Sequence, residues 1–332
     1  SVAFGAEYKN EEYQITVGDR VSYSQGPFAN VGEFSSSGKI GFGPDQAVDR
    51  NRSNFGIFAD LESDINDALL VGAALRYENY QGFGSNLSGK LNARVKFTED
   101  FSFRGSVNRG FRAPSLHQLN FSANDPQFGL NAQGEDDSIN ILQIRNDDPT
   151  VAALGYGNLK AETSLDFGLG LTAKLGTKFL FTLDAYQVKV KDRIIISESL
   201  SVFDVGLPEL FNEQNIAEIQ FFTNAVDTKT EGIDFVGSYT EIFGANNDKR
   251  FTSTLSATFN QTKFDGDVRT SQELQDLGVT EVVGDRMRGL VEVAQPRSKM
   301  ILSLDYTSSS LFANLRFSRF GSVSDVDSRD AN

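Results

Sequence analysis

Cysteine is absent from the 332 residues, which removes disulfides, thiolate metal sites and a cysteine nucleophile from consideration. Histidine occurs once, as His117, so Ser–His–Asp chemistry would hang on that residue, and nothing places it beside a serine nucleophile. Long apolar runs are missing as well. The longest, about residues 68–75, falls well short of the roughly 18 residues of a transmembrane helix, so any membrane span must be built from strands. Basic residues are outnumbered, 31 Lys and Arg against 45 Asp and Glu for a net charge of −14. That balance argues against nucleic acid as a partner, because phosphate binding needs clustered Lys and Arg. No signal peptide precedes Ser1, so the mature N-terminus is expected elsewhere or the chain is a piece of a longer one.

What the chain has instead is alternation. Leu87, Gly89, Leu91, Ala93, Val95 and Phe97 interleave with Ser88, Lys90, Asn92, Arg94 and Lys96. Side chains of a strand point to opposite faces with period two, so this segment has one apolar face and one charged face. Phe101, Phe103, Gly105 and Val107 repeat the pattern, as do Phe251, Ser253, Leu255, Ala257 and Phe259. A half-buried soluble sheet does this once or twice. Roughly ten such segments of about ten residues match an outer-membrane β-barrel with a lipid-facing apolar belt and a polar lumen.

Periodicity places strands at residues 1–14, 53–62, 68–80, 86–97, 101–116, 159–173, 178–197, 222–243, 250–264, 297–307 and 311–320. Their connections follow a parity. Links 63–67, 98–100, 174–177, 244–249 and 308–310 are short, whereas 15–52, 120–158, 198–221 and 265–296 are long. Every long link falls at one end, where only 81–85 is short. Outer-membrane barrels have short periplasmic turns and longer extracellular loops, so the four long links are expected outside the cell. The loops are acidic: Asp125, Glu135, Asp136, Asp137, Asp147 and Asp148 face Arg145 alone in residues 120–157. About eleven antiparallel strands cannot close on themselves, and an open edge in hydrocarbon would leave backbone groups unpaired. An all-β, transmembrane antiparallel barrel fragment is therefore expected over residues 1–332, aggregating unless a larger assembly completes it.

Gly110-Phe111-Arg112-Ala113-Pro114-Ser115-Leu116, followed by His117-Gln118-Leu119, ends one strand and opens a long loop. Pro114 cannot donate to the ladder and holds Ala113 extended, which terminates pairing there. This string resembles a barrel signature of TonB-dependent outer-membrane receptors. Three segments in the family's order support the likeness: Asn158-Leu159-Lys160-Ala161-Glu162-Thr163-Ser164, Leu183-Asp184-Ala185-Tyr186 with Val190-Lys191-Asp192-Arg193-Ile194, and Phe222-Thr223-Asn224-Ala225 with Thr228 to Asp234. The resemblance covers nearly the whole chain. It implies a barrel of about 22 strands around an N-terminal plug, driven by the inner-membrane TonB complex. It further implies uptake of a scarce solute, by default a ferric chelate (siderophore or haem), with outer-membrane lipid and accessory outer-membrane subunits as further contacts. Plug, TonB-contacting segment and final strands are unmatched by this sequence. A passive porin-like channel and a soluble β-sheet binding or adhesive protein are the rival classes.

Candidate lumen residues are Arg76, Glu78, Lys90, Arg94, Arg104, Arg112, Asp166, Asp184, Glu231, Asp234, Asp305 and Arg316. They either hold the plug and line the solute path or simply pair across strands in a wet lumen, each pair contributing a few tenths to about 1 kcal/mol. His117 and Gln118, at the loop mouth, are candidates for substrate contact. Tyr77, Tyr80, Tyr239, Tyr306 and Phe317 are expected on the outer face, some of them in interfacial girdles. Asp325, Asp327 and Asp330 resemble a calcium loop only loosely, lacking its glycine and bidentate Glu. Gly82-Phe83-Gly84 is a tight turn rather than a phosphate loop, since no helix follows. Neither a catalytic set, a metal nor a cofactor is expected.

Overall fold

Strands with unlike faces, paired in register, make a sheet with unlike faces, and a slip of one residue would reverse every side chain. The computed structural model describes residues 1–24, 39–130, 136–210 and 216–326. Eleven long strands follow one another in a single antiparallel meander. They are β1 (Val2–Ile15), β2 (Val48–Asn66), β3 (Leu69–Tyr80), β4 (Gly84–Lys96), β5 (Phe101–Arg112), β8 (Glu162–Leu175), β9 (Phe179–Ile196), β12 (Phe222–Phe243), β13 (Lys249–Phe264), β14 (Ser298–Thr307) and β15 (Phe312–Phe320). β1 and β15 each pair on one side only, so the sheet does not close on itself.

Register collects the apolar residues on one face. Val2, Leu61, Ala73, Leu91, Val107 and Phe167 are successive partners from β1 to β8. Phe181, Gly237, Leu255, Leu302 and Phe317 do the same from β9 to β15. The second row lies several positions nearer the short turns. A level belt crosses register rows diagonally when strands tilt, which accounts for the offset. On β8 the face runs from Leu165 to Leu175, about 34 Å along the strand at ~3.4 Å per residue, or about 24 Å of height at a tilt of about 45°. That height matches the apolar band of an outer-membrane barrel. Leu91 and Leu75 are each 59% exposed, which only a hydrocarbon environment makes favourable for so many large side chains at once.

Burial is concentrated elsewhere. The long links, read from sequence as loops, carry structure of their own: β6 (Ala123–Leu130), β7 (Asp136–Gln143), β10 (Leu200–Ser201) and β11 (Ile216–Gln220) form a second sheet in the order β10–β11–β7–β6. Val151, Val202, Ile216, Ile219, Phe221, Leu274, Val282 and Val283 are fully buried in one cluster above the meander. Polar contacts tie three loops together. Ser271 Oγ donates to the Leu154 carbonyl at 2.6 Å, and Glu198 Oε2 accepts from the Gly284 amide at 3.2 Å. β12 shifts register between Thr223 and Thr228 where it enters this cap, and Asp192 opposite adopts φ 54°. Such irregularities end regular pairing and re-aim the chain. Asp327 and Asp330, and the side chains of Asp136 and Asp137, lie outside the described residues.

Leu91→Arg is expected to cost on the order of 2–4 kcal/mol in reversible folding of the complete barrel into bilayers, because the guanidinium would enter hydrocarbon. Ser106→Arg, one strand away on the opposite face, is expected to cost less than about 1 kcal/mol. Equal costs at the two positions would contradict the assignment of faces.

Candidate functional site

Directly paired residues of antiparallel strands share a face, so the ladder assigns each charge to the inner or the outer wall. Arg94, Arg104, Asp184 and Asp234 lie on one inner row across β4, β5, β9 and β12. Between Arg104 and Asp184 the row passes Gly170 of β8. Arg104 reaches over it to donate to Asp184 from Nη2 at 2.5 and 2.6 Å and from Nε at 3.0 Å. A Cβ on Gly170 would overlap Asp184 Oδ1 and stand 2.6 Å from Arg104 Nε, so the bridge over this strand requires glycine. Gly56 plays the same part in β2, lying beneath Arg76, which donates to Glu7 at 2.7 Å and Glu78 at 2.9 Å.

The other inner-wall candidates follow in order. Asn108 donates to Asp166 at 2.7 Å, Arg112 to Glu162 at 2.6 Å and Asn314 to Asp305 at 2.6 Å. Lys90, Arg94 and Arg316 face the same side, with no ion-pair or hydrogen-bond partner recorded among the described residues. Asp234 Oδ1 and Asp166 Oδ1 are buried without a partner. The inner wall thus brings together paired charges and several unspent ones, with cations on β4 and carboxylates on β8 to β12.

Glu231 does not belong to this wall. It pairs with Gln187 and Gln261 and shares its face with Ile233 and Phe235, so it points outward. Glu231 and Asp234 are three residues apart, and in an unbroken strand an odd separation puts two side chains on opposite faces. Tyr80 errs in the other direction. Its partner is Asn54, it shares the face of Glu78, and the Arg52 guanidinium lies 5.0 Å from its ring centroid. Tyr77, Tyr239, Tyr306 and Phe317 do lie on the apolar face.

At the mouth, Gln118 and Ser115 cap the short helix Leu116–Asn120: Ser115 Oγ accepts from the Gln118 amide and Gln118 Oε1 from the Ser115 amide. The Gln118 side-chain oxygen is therefore committed to the turn. His117 stacks on Phe121 at 4.6 Å and meets the edges of Tyr13 and Phe222 at 5.8 and 6.1 Å. The residue remains exposed, while its partial burial lowers the imidazole pKa by desolvating the charged form. Arg52 is the mouth residue that the sequence reading missed. It is 7% exposed, bonds Glu11 at 2.7 and 3.2 Å and donates to the Pro114 carbonyl at 2.7 Å. It thereby ties β1 and β2 to the segment that follows β5. The signal was hidden because residues 48–52 extend β2 beyond its periodic part. Among the described residues no group of three or more His, Asp or Glu is arranged to hold a metal ion.

Comparison with known proteins gives the same architecture. A family model described as "TonB dependent receptor-like, beta-barrel" matches residues 2–332. The ferrienterobactin receptor of Escherichia coli K12 is 29% identical over 122 residues, 36% of this chain and 14% of the receptor. A probable TonB-dependent siderophore receptor, PirA, of Acinetobacter baumannii is 28% identical over 171 residues, half of this chain and 20% of that protein. The crystal structure of the siderophore receptor PirA from A. baumannii superposes with a TM-score of 0.57 at 18% identity, over 98% of this chain and 41% of its own. A ferric enterobactin receptor mutant from Pseudomonas aeruginosa, in complex with enterobactin, gives 0.58 at 17% identity, over 96% and 39%. The chain thus spans about two fifths of those solved barrels, and the likeness to them is one of fold.

Because the folded His117 pKa is lowered, its packing contributes stability above the ordinary value of 6.5, and that contribution is lost as pH falls through the lowered value. Amide exchange in Leu116–Asn120, corrected for intrinsic rate, is expected to be faster at about pH 5 than at about pH 7.5. His117→Phe is expected to remove the difference. A pH response unchanged in that variant would place the titrating group elsewhere.

Proposed function

The chain belongs to the TonB-dependent receptor-like β-barrel family of the outer membrane, and we propose that it forms one wall of a receptor for TonB-dependent uptake of a ferric chelate of siderophore type. The carrying observation is the family match over residues 2–332 on a single-layer sheet whose outer face is apolar and whose inner face is charged. Ferric enterobactin and siderophore receptors among its relatives make an iron chelate the cargo of choice. On this reading the packed loop cap faces the medium and the short turns face the periplasm. The TonB complex would act through a plug domain seated against the inner wall, where the unspent Lys90 and Arg94 suit acidic segments of a plug or a passing anionic chelate. Arg76, Glu78, Arg104, Arg112, Asp166, Asp184, Asp234, Asp305 and Arg316 complete that wall, and His117 sits at its mouth.

Cells expressing the complete receptor should accumulate iron from a ferric catecholate, and dissipating the proton-motive force should abolish uptake. Uptake that survives dissipation would favour a passive porin-like channel. Lys90→Gln with Arg94→Gln is expected to lower the uptake rate severalfold while leaving heat-modifiable gel migration unchanged. Epitope tags within residues 265–296 should stain on intact cells and tags within 308–310 should not; the converse pattern would invert the topology.

A further inference from the structure

One strand of the wall differs from its neighbours on the inner face. Along β13 the inward residues Thr252, Thr254, Ser256, Thr258, Asn260 and Thr262 follow in succession, each with a hydroxyl or an amide and none charged. Arg250 lies inward only at the foot, beside the short turn. The other ten long strands each turn at least one charged side chain to this face, as Arg76, Lys90, Arg104 and Asp184 do on β3, β4, β5 and β9. From Thr252 to Thr262 the strip is about 34 Å long at ~3.4 Å per residue. It therefore runs behind the whole apolar face of its own strand, Phe251 to Phe259. The neighbouring β12 widens it with Thr230, Ser238 and Thr240. Lipid does not dictate this, since alternation asks only that the inner face be polar.

The hydroxyls of the strip are spent largely on one another. The oxygens of Thr230 and Thr262 lie 2.8 Å apart, those of Ser238 and Thr254 3.3 Å, and those of Thr240 and Thr252 3.3 Å. Either oxygen of a pair can donate, so a hydroxyl turns readily from its partner to a passing group and back. Charge flanks the strip in balance, for Thr258 is paired with Asp234 on β12 and with Lys299 on β14. The wall from β1 to β5 is of the other kind. There Arg76 joins Glu7 and Glu78 at 2.7 and 2.9 Å, and Arg52 joins Glu11 at 2.7 Å. Lys90 and Arg94 have no partner recorded among the described residues. Hydrogen bonds with an ionised partner are roughly twice as strong as neutral ones. A polar body seated in the lumen is therefore held by β1 to β5 and only lightly by β13.

A wall graded in this way decides where a seated plug lets go. We propose that, in the receptor inferred above, the plug parts from the wall along β12 and β13, and that solute passes over Thr252, Thr254, Ser256, Thr258 and Thr262. The passage presupposes the transport reading and gives it a side of the lumen. A conducting surface must bind its solute well enough to admit it and weakly enough to release it, at several successive sites. Exchangeable polar groups every second residue, about 7 Å apart, provide such sites, whereas an isolated Lys or Arg would hold an anionic chelate in one place. The strip also reaches the cap. Phe264, two residues above Thr262, packs against the buried cluster, and its amide donates to Glu292 at 3.0 Å. The passage thus begins beneath loop 265–296 and ends beside the turn 244–249.

Single cysteines would be placed at Thr254 or Thr258 on β13, and at Ser88 or Ser106 on the inner face of β4 or β5, in a complete receptor otherwise free of cysteine. Each purified variant would be titrated with urea and labelled with a sulfonated maleimide, a polar anion whose arrival reports an open passage. Heat-modifiable gel migration would confirm an intact barrel at every urea concentration used. Each rate would be divided by that of the same cysteine in the unfolded chain. As urea begins to loosen the plug, T254C and T258C are expected to label roughly tenfold faster than S88C and S106C, the difference of about one charge-assisted bond. Equal rates, faster labelling on β4 and β5, or no labelling on β13 before the barrel itself unfolds would overturn the proposal. So would immediate labelling of all four without urea, which would show a lumen with no plug seated and overturn the transport reading as well. Iron uptake is not read here, so the order of labelling is independent of the identity of the solute.

Discussion

A peptide group in hydrocarbon has no water to bond, and each one left unpaired costs several kcal/mol. That constraint dictates the single-layer meander: only a neighbouring strand can satisfy the N–H and C=O groups of a strand that crosses the membrane. Once pairing is obligatory, register becomes the sole means of sorting side chains, because a one-residue slip would carry Leu91 inward and Lys90 into lipid. The apolar belt and the inner charges are two consequences of one ladder. Even the glycines answer to it, since Gly170 is small so that Arg104 can bridge a strand to Asp184.

Stability is consequently divided. Within the membrane the sheet has little buried core, and its large apolar side chains are turned outward. Above it, the cap is organised as a soluble domain would be, with Phe221, Val202 and Leu274 fully buried and a small mixed sheet of its own. Hydrophobic burial from water holds the cap together; obligatory pairing and lipid contact hold the wall. The irregular upper part of β12 is where one regime hands over to the other, and Ala225 and Val226 there belong to the cap's core.

Legibility in the sequence followed the same division. Strands governed by period two were readable, because lipid on one side and water on the other impose alternation on every residue, and all eleven are present. The cap was not, since its strands β7 and β11 pair in parallel across about 75 residues of chain and no local periodicity announces such a contact. Arg52 escaped notice for a related reason: its partners Glu11 and Pro114 are distant in sequence. Glu231 was misplaced by taking charge as the sign of the inner wall. Position parity with Ile233 outranks residue type, and a carboxylate near the rim of the belt can sit outward when Lys229 and Gln187 meet it.

That exception exposes how the two walls differ in the way they use charge. Inside, cations and carboxylates mostly face one another across strands, and the unspent ones, Lys90 and Arg94 against Asp234, are segregated on different strands of a polar surface. A segregated surface suits a polar body of complementary charge pattern better than a small ligand. Outside, charge is confined to the rim, because the cost of a Lys or Arg in hydrocarbon rises with depth, to about 2–4 kcal/mol at the midplane. The same residue type thus acquires its surroundings from its row on the ladder: Lys90 lies on the charged face and Lys263 on the apolar one, though nothing in their side chains distinguishes them.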